Sequence, residues 1–135
     1  KKERVTMNSL RTDHTHEFDP MDIQNNKGVA CVSYLGPLFI IPLLSAPNSK
    51  FAKFHANQGL LLFITFSAGS IMIGILSFAL SIFFFWSRII PSILTGIISG
   101  SYGIFCFVVA LVLLIEASNG KAKELPFIGK YRLIS

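Results

Sequence analysis

The sequence predicts an all-α integral membrane protein with three transmembrane helices: a kinked first span, then an antiparallel hairpin of the second and third. Two observations predict this fold class. Hydrophobic residues make up 52% of the 135-residue chain and charged residues 14%, whereas soluble domains usually carry about 25% charged residues. The charges are also segregated, because Arg88 is the only fully ionised side chain between Lys53 and Glu116. Long uncharged stretches of this kind are typical of segments that lie in lipid.

Residues 1–26 form a polar N-terminal segment that we expect to be flexible. This segment contains no apolar stretch of the kind that a cleavable signal peptide needs. Its acidic and imidazole side chains are crowded together, at Asp13, His14, His16, Glu17, Asp19 and Asp22. Because their spacing differs from that of known zinc sites, the sequence predicts neither a metal nor a cofactor.

The first apolar stretch, residues 28–44, begins the predicted transmembrane domain of residues 27–118. At about 1.5 Å per residue it just spans a hydrocarbon layer of roughly 30 Å if it is helical throughout. Pro37 and Pro42 each remove a backbone donor, so a kink is expected, and Ser33 could satisfy part of the freed backbone. A re-entrant segment that does not cross the membrane is the alternative.

A polar connection, residues 45–57, follows the first stretch. Ser49 is placed to cap a short helix. Phe51 and Phe54 lie one turn apart, which suits an element in the headgroup layer with Lys50 and Lys53 toward anionic lipid. An ordinary loop is the alternative.

The second span is expected over residues 58–85 and the third over residues 89–118. The second is longer than the hydrocarbon layer requires, so it should tilt. Trp86 fits the aromatic belt at a membrane interface, and Asn119-Gly120 is a typical helix end. Residues 119–135 then form a tail that mixes basic and apolar side chains and should lie at the membrane interface.

Each of the last two spans carries a seam of small residues at steps of three and four, which places each seam on one helix face. The first seam comprises Ser67, Ser70, Gly74, Ser77 and Ser81, and the second Ser92, Gly96, Ser99, Gly103, Cys106 and Ala110. Small residues let helix backbones approach closely in lipid. We therefore predict that the two seams face each other in the hairpin, with contact between copies of the chain as the alternative.

Three crossings would bring the start of the second span and the end of the third to one leaflet. An interfacial polar cluster should form there from Lys53, His55, Asn57, Gln58 and Glu116. An ion pair of Glu116 with Lys53 or His55 at a helix end explains the cluster, and a proton or ligand site is the alternative. Cys31 and Cys106 should lie at different depths, so no disulfide is expected.

Orientation follows from the basic residues near the spans. With three crossings, the positive-inside rule puts the carboxyl end in the cytoplasm and the amino end outside. If the first stretch is re-entrant, the amino end moves inside. The net charge of +5 fits anionic lipid headgroups better than nucleic acid.

Two runs resemble a small bacterial family of multi-pass membrane proteins of unknown function. One is Phe51-Ala-Lys-Phe54-His55-Ala-Asn57-Gln58-Gly59, preceded by the segment from Tyr34 to Pro42, and the other is the tail from Ala117 to Gly129. That family is grouped with the import-channel subunit of the chloroplast inner envelope and with magnetosome membrane proteins. The resemblance implies a three-helix protein of the bacterial cytoplasmic membrane without known catalysis.

These patterns favour a non-enzymatic membrane subunit that assembles with or stabilises a larger complex. Its expected partners are the lipid bilayer and another membrane protein or a second copy. The chain shows no catalytic constellation, phosphate loop or paired carboxylates in a cleft. A channel or translocation component is the alternative, although a pore needs polar residues along a span.

Overall fold

A computed structural model describes residues 11–134, and within that range the regular structure is helical apart from one isolated bridge between Asp13 and Lys123. The α-helices are α1 (Pro20–Cys31), α2 (Ile40–Ser45), α3 (Lys50–Phe83) and α4 (Ile89–Ser118). Short 3-10 turns occupy Thr15–Glu17, Val32–Tyr34 and Gly36–Phe39. The predicted all-α class is therefore confirmed.

The chain divides into two compact units. The first unit comprises Lys1–Phe63 and Ala110–Ser135, and the second comprises Ile64–Val109. Both long helices take part in both units, because α3 and α4 each continue past a boundary.

Two helices, α3 and α4, are long and apolar enough to cross a membrane by length and composition. Core helices of soluble proteins can pass the same test, but they are mostly buried. Here only 17% of the most apolar window of α3 and 6% of that of α4 is buried. Such exposure of apolar side chains is expected of helices whose solvent is lipid.

The predicted first span, residues 28–44, is not one helix. After α1 and the turn at Val32–Tyr34, Leu35 leaves the helical region, and Gly36 adopts φ +69°. That left-handed conformation suits glycine because it lacks a Cβ. Pro37 then starts a new turn, and α2 has only six residues. Three transmembrane helices are thus not confirmed. The helix is interrupted at residues 35 and 36, whereas the sequence predicted a kinked but continuous helix.

The polar N-terminal segment is partly structured, which differs from the expected flexible lead. The Asp19 side chain caps α1 by accepting a hydrogen bond from the Met21 amide at 2.9 Å. Pro20 stands at the first helical position, where its missing N–H costs nothing. The helix therefore runs through the predicted domain boundary at residues 26 and 27. Residues 1–10 of the predicted lead lie outside the described residues.

Aromatic side chains of α3 form the core of the first unit. Phe51 is fully buried and Phe54 is 4% exposed, and Phe18 packs edge-on against both rings at 5.8 and 5.5 Å. These two rings face the interior of the unit, and a position of the element in the headgroup layer stays a prediction. The predicted cap is confirmed, because Ser49 Oγ accepts from the Ala52 amide at 3.0 Å. The helix that it starts, however, continues to Phe83.

Candidate functional site: the polar turns of α3

The first turns of α3 bury three polar side chains in the first unit. His55 is 1% exposed, and Asn57 and Gln58 are fully buried. An unpaired amide in such a place would cost about 1–3 kcal/mol. The side-chain amides of Asn57 and Gln58 are therefore expected to find partners within the unit.

Asn57 binds the backbone near the end of the described chain. Its Nδ2 donates to the Tyr131 carbonyl at 2.7 Å, and its Oδ1 accepts from the amides of Leu133 and Ile134 at 2.6 and 3.0 Å. One side chain thus satisfies three backbone groups, and it holds the tail against α3.

Gln58 binds the backbone of the same tail at residues that precede those bound by Asn57. Its Nε2 donates to the Gly129 carbonyl at 2.8 Å, and its Oε1 accepts from the Leu125 amide at 2.9 Å. We call the set of Asn57, Gln58 and the backbone that they bind the tail clamp. The clamp fixes residues 125–134 by hydrogen bonds to α3, which the sequence did not predict.

His55 pairs with a tyrosine instead of joining the clamp. The Tyr34 hydroxyl lies 2.6 Å from His55 Nδ1, and the two rings are edge-on at 5.7 Å. Burial raises the pKa of Tyr34, with the charge of Glu116 adding to the effect. The phenol therefore keeps its proton, and the donor and acceptor roles in this pair are set by the His55 tautomer. His55 Nε2 is buried without a hydrogen-bond partner among the described residues.

Glu116 pairs with neither residue that the sequence suggested. Arg11 holds it with two parallel hydrogen bonds, from Nη1 to Oε1 at 3.0 Å and from Nη2 to Oε2 at 2.5 Å, and Lys123 Nζ adds a contact at 3.7 Å. The fork geometry makes the Arg11 pair strong and directional. The predicted ion pair with Lys53 or His55 is therefore wrong. No short motif could reveal Arg11, which lies 105 positions away in sequence.

The two ends of the described chain also meet through backbone hydrogen bonds. The His14 amide donates to the Ala122 carbonyl at 2.8 Å, and the Glu124 amide donates to the Thr12 carbonyl at 3.1 Å. His14 additionally places Nδ1 2.6 Å from Glu17 and Nε2 2.9 Å from Glu124. Residues on opposite sides of a membrane cannot make these bonds. These bonds bring residues 12–14 and 122–124 together in the first unit, so the predicted orientation with three crossings and ends on opposite sides is not confirmed.

The amino end of α3 is closed by Asp22, a member of the acidic run for which the sequence predicted no such contact. Asp22 Oδ2 accepts from the Phe51 amide at 3.1 Å, while Oδ1 accepts from the Asn26 side chain at 2.8 Å. Burial alone would raise the pKa of Asp22, but hydrogen bonds from Ser49, Phe51 and Asn26 outweigh it and hold that pKa below its ordinary value. An open polar cleft of about 370 Å³ adjoins this point, lined in part by Asn25, Asn26, Ser45, Asn48 and Ser49.

Metal ligands do not converge in the part of the chain that the structure describes, since no three His, Cys, Asp or Glu residues lie close enough to hold an ion. The acidic run is used instead for capping and for pairing the two ends. Cys31 and Cys106 are both free thiols.

In the second unit, the glycines of the two seams lie in open space. A Cβ added at Gly74, Gly96 or Gly103 would meet nothing within 4 Å. Close backbone approach at these three glycines, as predicted for the hairpin, is therefore wrong. The helices touch instead at Gly69, where an added Cβ would lie 2.0 Å from the Tyr102 hydroxyl oxygen. That hydroxyl donates to the Phe66 carbonyl at 3.1 Å.

Three of the six serine hydroxyls of the seams are bonded within their own helices. Ser77 donates to Ile73 at 2.8 Å, Ser81 to Ser77 at 2.8 Å and Ser92 to Arg88 at 2.6 Å, in each case to a carbonyl one turn earlier. Ser70 and Ser99 are exposed, and Ser67 and Cys106 are half-buried. Half of the seam hydroxyls are thus satisfied by the backbone of their own helix.

Comparison with known families gives one match. Residues 27–134 match the model of the magnetosome magnetite crystal formation protein family. No curated protein and no solved structure is detectably similar to the chain.

Proposed function

The chain belongs to the magnetosome magnetite crystal formation protein family, and from this we propose that it is a non-enzymatic integral membrane subunit of a larger membrane assembly. The second unit anchors it in the bilayer, and the first unit stands at the membrane surface. Its role in crystal formation would be to place and hold other components. We assign no chemical step to the polar turns of α3, because they bind the chain's own tail.

The length of the second unit supports this anchoring. Residues 64–83 of α3 and 89–109 of α4 each extend about 30 Å at about 1.5 Å per residue, which is the thickness of the hydrocarbon layer. The turn between them carries Trp86, which is 88% exposed and is the residue type that anchors spans at an interface. We propose two crossings.

The distribution of basic residues supports a cytoplasmic first unit. Of the twelve Lys and Arg residues of the sequence, only Arg88 falls in residues 64–109. Under the positive-inside rule, the first unit and both ends of the chain lie in the cytoplasm, with Arg88 outside. Lysines such as Lys50 and Lys130, both exposed, are available to anionic headgroups.

The single observation that carries the assembly role is the set of open glycines. A Cβ added at any of four glycines would meet nothing within 4 Å: Gly74, Gly96, Gly100 and Gly103. Glycine weakens a helix relative to alanine, so four open glycines are unfavourable unless a partner uses their small size. In lipid, such surfaces associate with another helix at close range. We propose that the open face of α4 packs against another membrane protein or a second copy.

The test is association in a membrane-like environment. The protein would be cross-linked in native membranes and then purified in mild detergent, in parallel with the double variant Gly96→Leu/Gly103→Leu. We expect the wild type to be recovered in a complex or oligomer, and the variant to lose most of it while keeping its helical content. Ile97→Leu, at an exposed position of the same helix, is the matched control. A wild-type protein that stays monomeric and without partner would contradict the proposal.

The channel alternative receives no support from the described residues. Its polar cluster is divided between the tail clamp, Tyr34 and Arg11, and three of the six seam serine hydroxyls bond their own helices. The relation to the chloroplast import channel stays a prediction from resemblance.

A further inference from the structure

An apolar surface on the first unit lies outside the hairpin. Five large side chains between residues 35 and 44 are exposed: Leu35 by 52%, Leu38 by 39%, Ile40 by 48%, Ile41 by 39% and Leu44 by 76%. No charged residue occurs between Lys27 and Lys50. We call residues 35–44 the apolar shoulder. Contiguous exposed surface of this kind marks a contact with membrane or protein.

The shoulder lies beside the point where α3 becomes exposed. Leu61 and Leu62 are 7% and 5% exposed, whereas the next residue, Phe63, is 39% exposed. The ring of Phe39, within the shoulder, packs against the ring of Phe63 with centroids 6.0 Å apart. The exposed apolar surface of the shoulder therefore continues onto Phe63 of α3 within the first unit.

Both flanks of the shoulder are tied to the same unit. Before it, Tyr34 is bonded to His55 of α3. After it, Ser49 caps α3. A shoulder held in this way at both flanks would have to leave a bilayer on the side on which it entered.

Its backbone also excludes a full crossing. The left-handed Gly36 and the two prolines interrupt the helical hydrogen bonds, and α2 has six residues, or about 9 Å. Irregular backbone of this kind is not stable across the hydrocarbon core. A shallow position remains open to it, because headgroups and interfacial water can satisfy the free backbone groups.

We propose that the apolar shoulder is embedded in the lipid leaflet next to the first unit, as a re-entrant element between two anchored ends. Its partner is the acyl-chain region just below the headgroups. The inference rests on the proposed insertion of the second unit, and it adds a third membrane contact that reaches one leaflet only.

Tryptophan fluorescence tests the depth of the shoulder. In a Trp86→Phe background, Leu44→Trp and Ile40→Trp report on the shoulder at two exposed positions. Asn25→Trp, at an exposed polar position of α1, is the aqueous control. Ile75→Trp, at a 64% exposed position, reports on the hairpin. Each variant is reconstituted in phosphatidylcholine vesicles whose acyl chains carry bromine near the headgroup or near the chain end. Circular dichroism checks that its helical content is unchanged.

We expect the shoulder probes to be quenched several-fold more by the shallow bromines than by the deep ones, and to be shielded several-fold from aqueous acrylamide relative to Asn25→Trp. Acrylamide access equal to that of the control would overturn the proposal. Protection from both acrylamide and bromine would overturn it too, because a protein would then cover the shoulder. If Ile75→Trp also escapes the deep bromines, the insertion of the hairpin fails as well, which separates the two outcomes.

Discussion

Asn57 and Gln58 show how single side chains organise the first unit. Each uses both ends of its amide, so five backbone groups of the tail are satisfied by two residues of α3. Such fully paired buried amides specify one arrangement, because any other arrangement leaves polar groups unpaired. The tail clamp is therefore the feature that gives residues 125–134 a defined path.

Asn57→Ala should release the end of the tail. It removes three hydrogen bonds and leaves backbone amides without partners, a cost of about 2–4 kcal/mol in unfolding free energy. Denaturation in detergent measures that loss, and trypsin should cut faster after Lys130 and Arg132. Asn25→Ala, at an exposed position, is the control. Unchanged cleavage in Asn57→Ala would mean that the clamp does not hold the tail.

Asp22 should make stability depend on acid pH. Its pKa is lowered in the folded protein from an ordinary value of 3.8. Its contribution is therefore fully present above that value and is lost as the pH falls through the lower folded pKa. Asp22→Ala should cost about 1 kcal/mol at neutral pH, as for other helix caps. Melting curves should show this difference shrinking in acid below about pH 3.8, and a pH-independent difference would contradict the assigned ionisation.

The sequence could identify the residues of the polar site but not their partners. His55, Asn57 and Gln58 could be grouped because they lie at the start of the second span, which the predicted topology brings to the same leaflet as Glu116. Their partners are a tyrosine 21 positions earlier and backbone atoms about 70 positions later, and backbone groups carry no side-chain signal. Arg11 was missed for a similar reason, since one arginine in a polar lead has no pattern.

At the scale of elements, the long helices were predictable and the broken one was not. An uncharged run of the right length indicates a span whatever its neighbours, so α3 and α4 emerged from composition alone. Residues 28–44 satisfy the same test of length. Gly36 and Pro37 end a helix in one setting and only bend it in another, so local sequence did not decide between a kink and a break.

The helical faces that meet in the second unit also depended on information beyond spacing. Small residues at steps of three and four mark a face on which close approach is allowed, but not the helix that uses it. Tyr102 fills the space beside Gly69, and a large side chain of this kind sets the contact away from the seams. The open seams then stay available to other partners.

Gly69→Leu should destabilise the second unit, whereas Gly74→Leu should not. At Gly69 the new side chain would displace Tyr102, a clash that costs about 1–3 kcal/mol. At Gly74 it would enter open space, so the change should stay within about 0.5 kcal/mol. Thermal unfolding of purified monomer in detergent measures both. Equal losses of stability in the two variants would instead support the packing of the seams that the sequence predicts.

At the scale of the whole molecule, the contact between the two ends of the described chain is the feature that bears most on the membrane topology. Arg11 with Glu116 and the strand-like pairing of residues 12–14 with 122–124 put the amino and carboxyl segments in one unit. This contact supports the two crossings proposed above, in which residues 28–44 would take the re-entrant alternative.

Cysteine labelling from the two sides of the membrane tests this topology. In a Cys31→Ser/Cys106→Ser background, His16→Cys and Lys130→Cys should be labelled from the cytoplasmic side in inverted vesicles. Ser87→Cys, in the turn after α3, should be labelled in intact spheroplasts. His16→Cys and Lys130→Cys reacting on opposite sides would show an odd number of crossings.

The first unit is discontinuous in sequence, because residues 64–109 separate its two parts. During synthesis on the ribosome, the hairpin emerges and can enter the bilayer while Asn57 and Gln58 still lack the tail that satisfies them. The unit can close only after residues 125–134 have left the exit tunnel. Biogenesis should therefore pass through an inserted but incomplete state, in which a chaperone or a protease has access to the polar turns of α3.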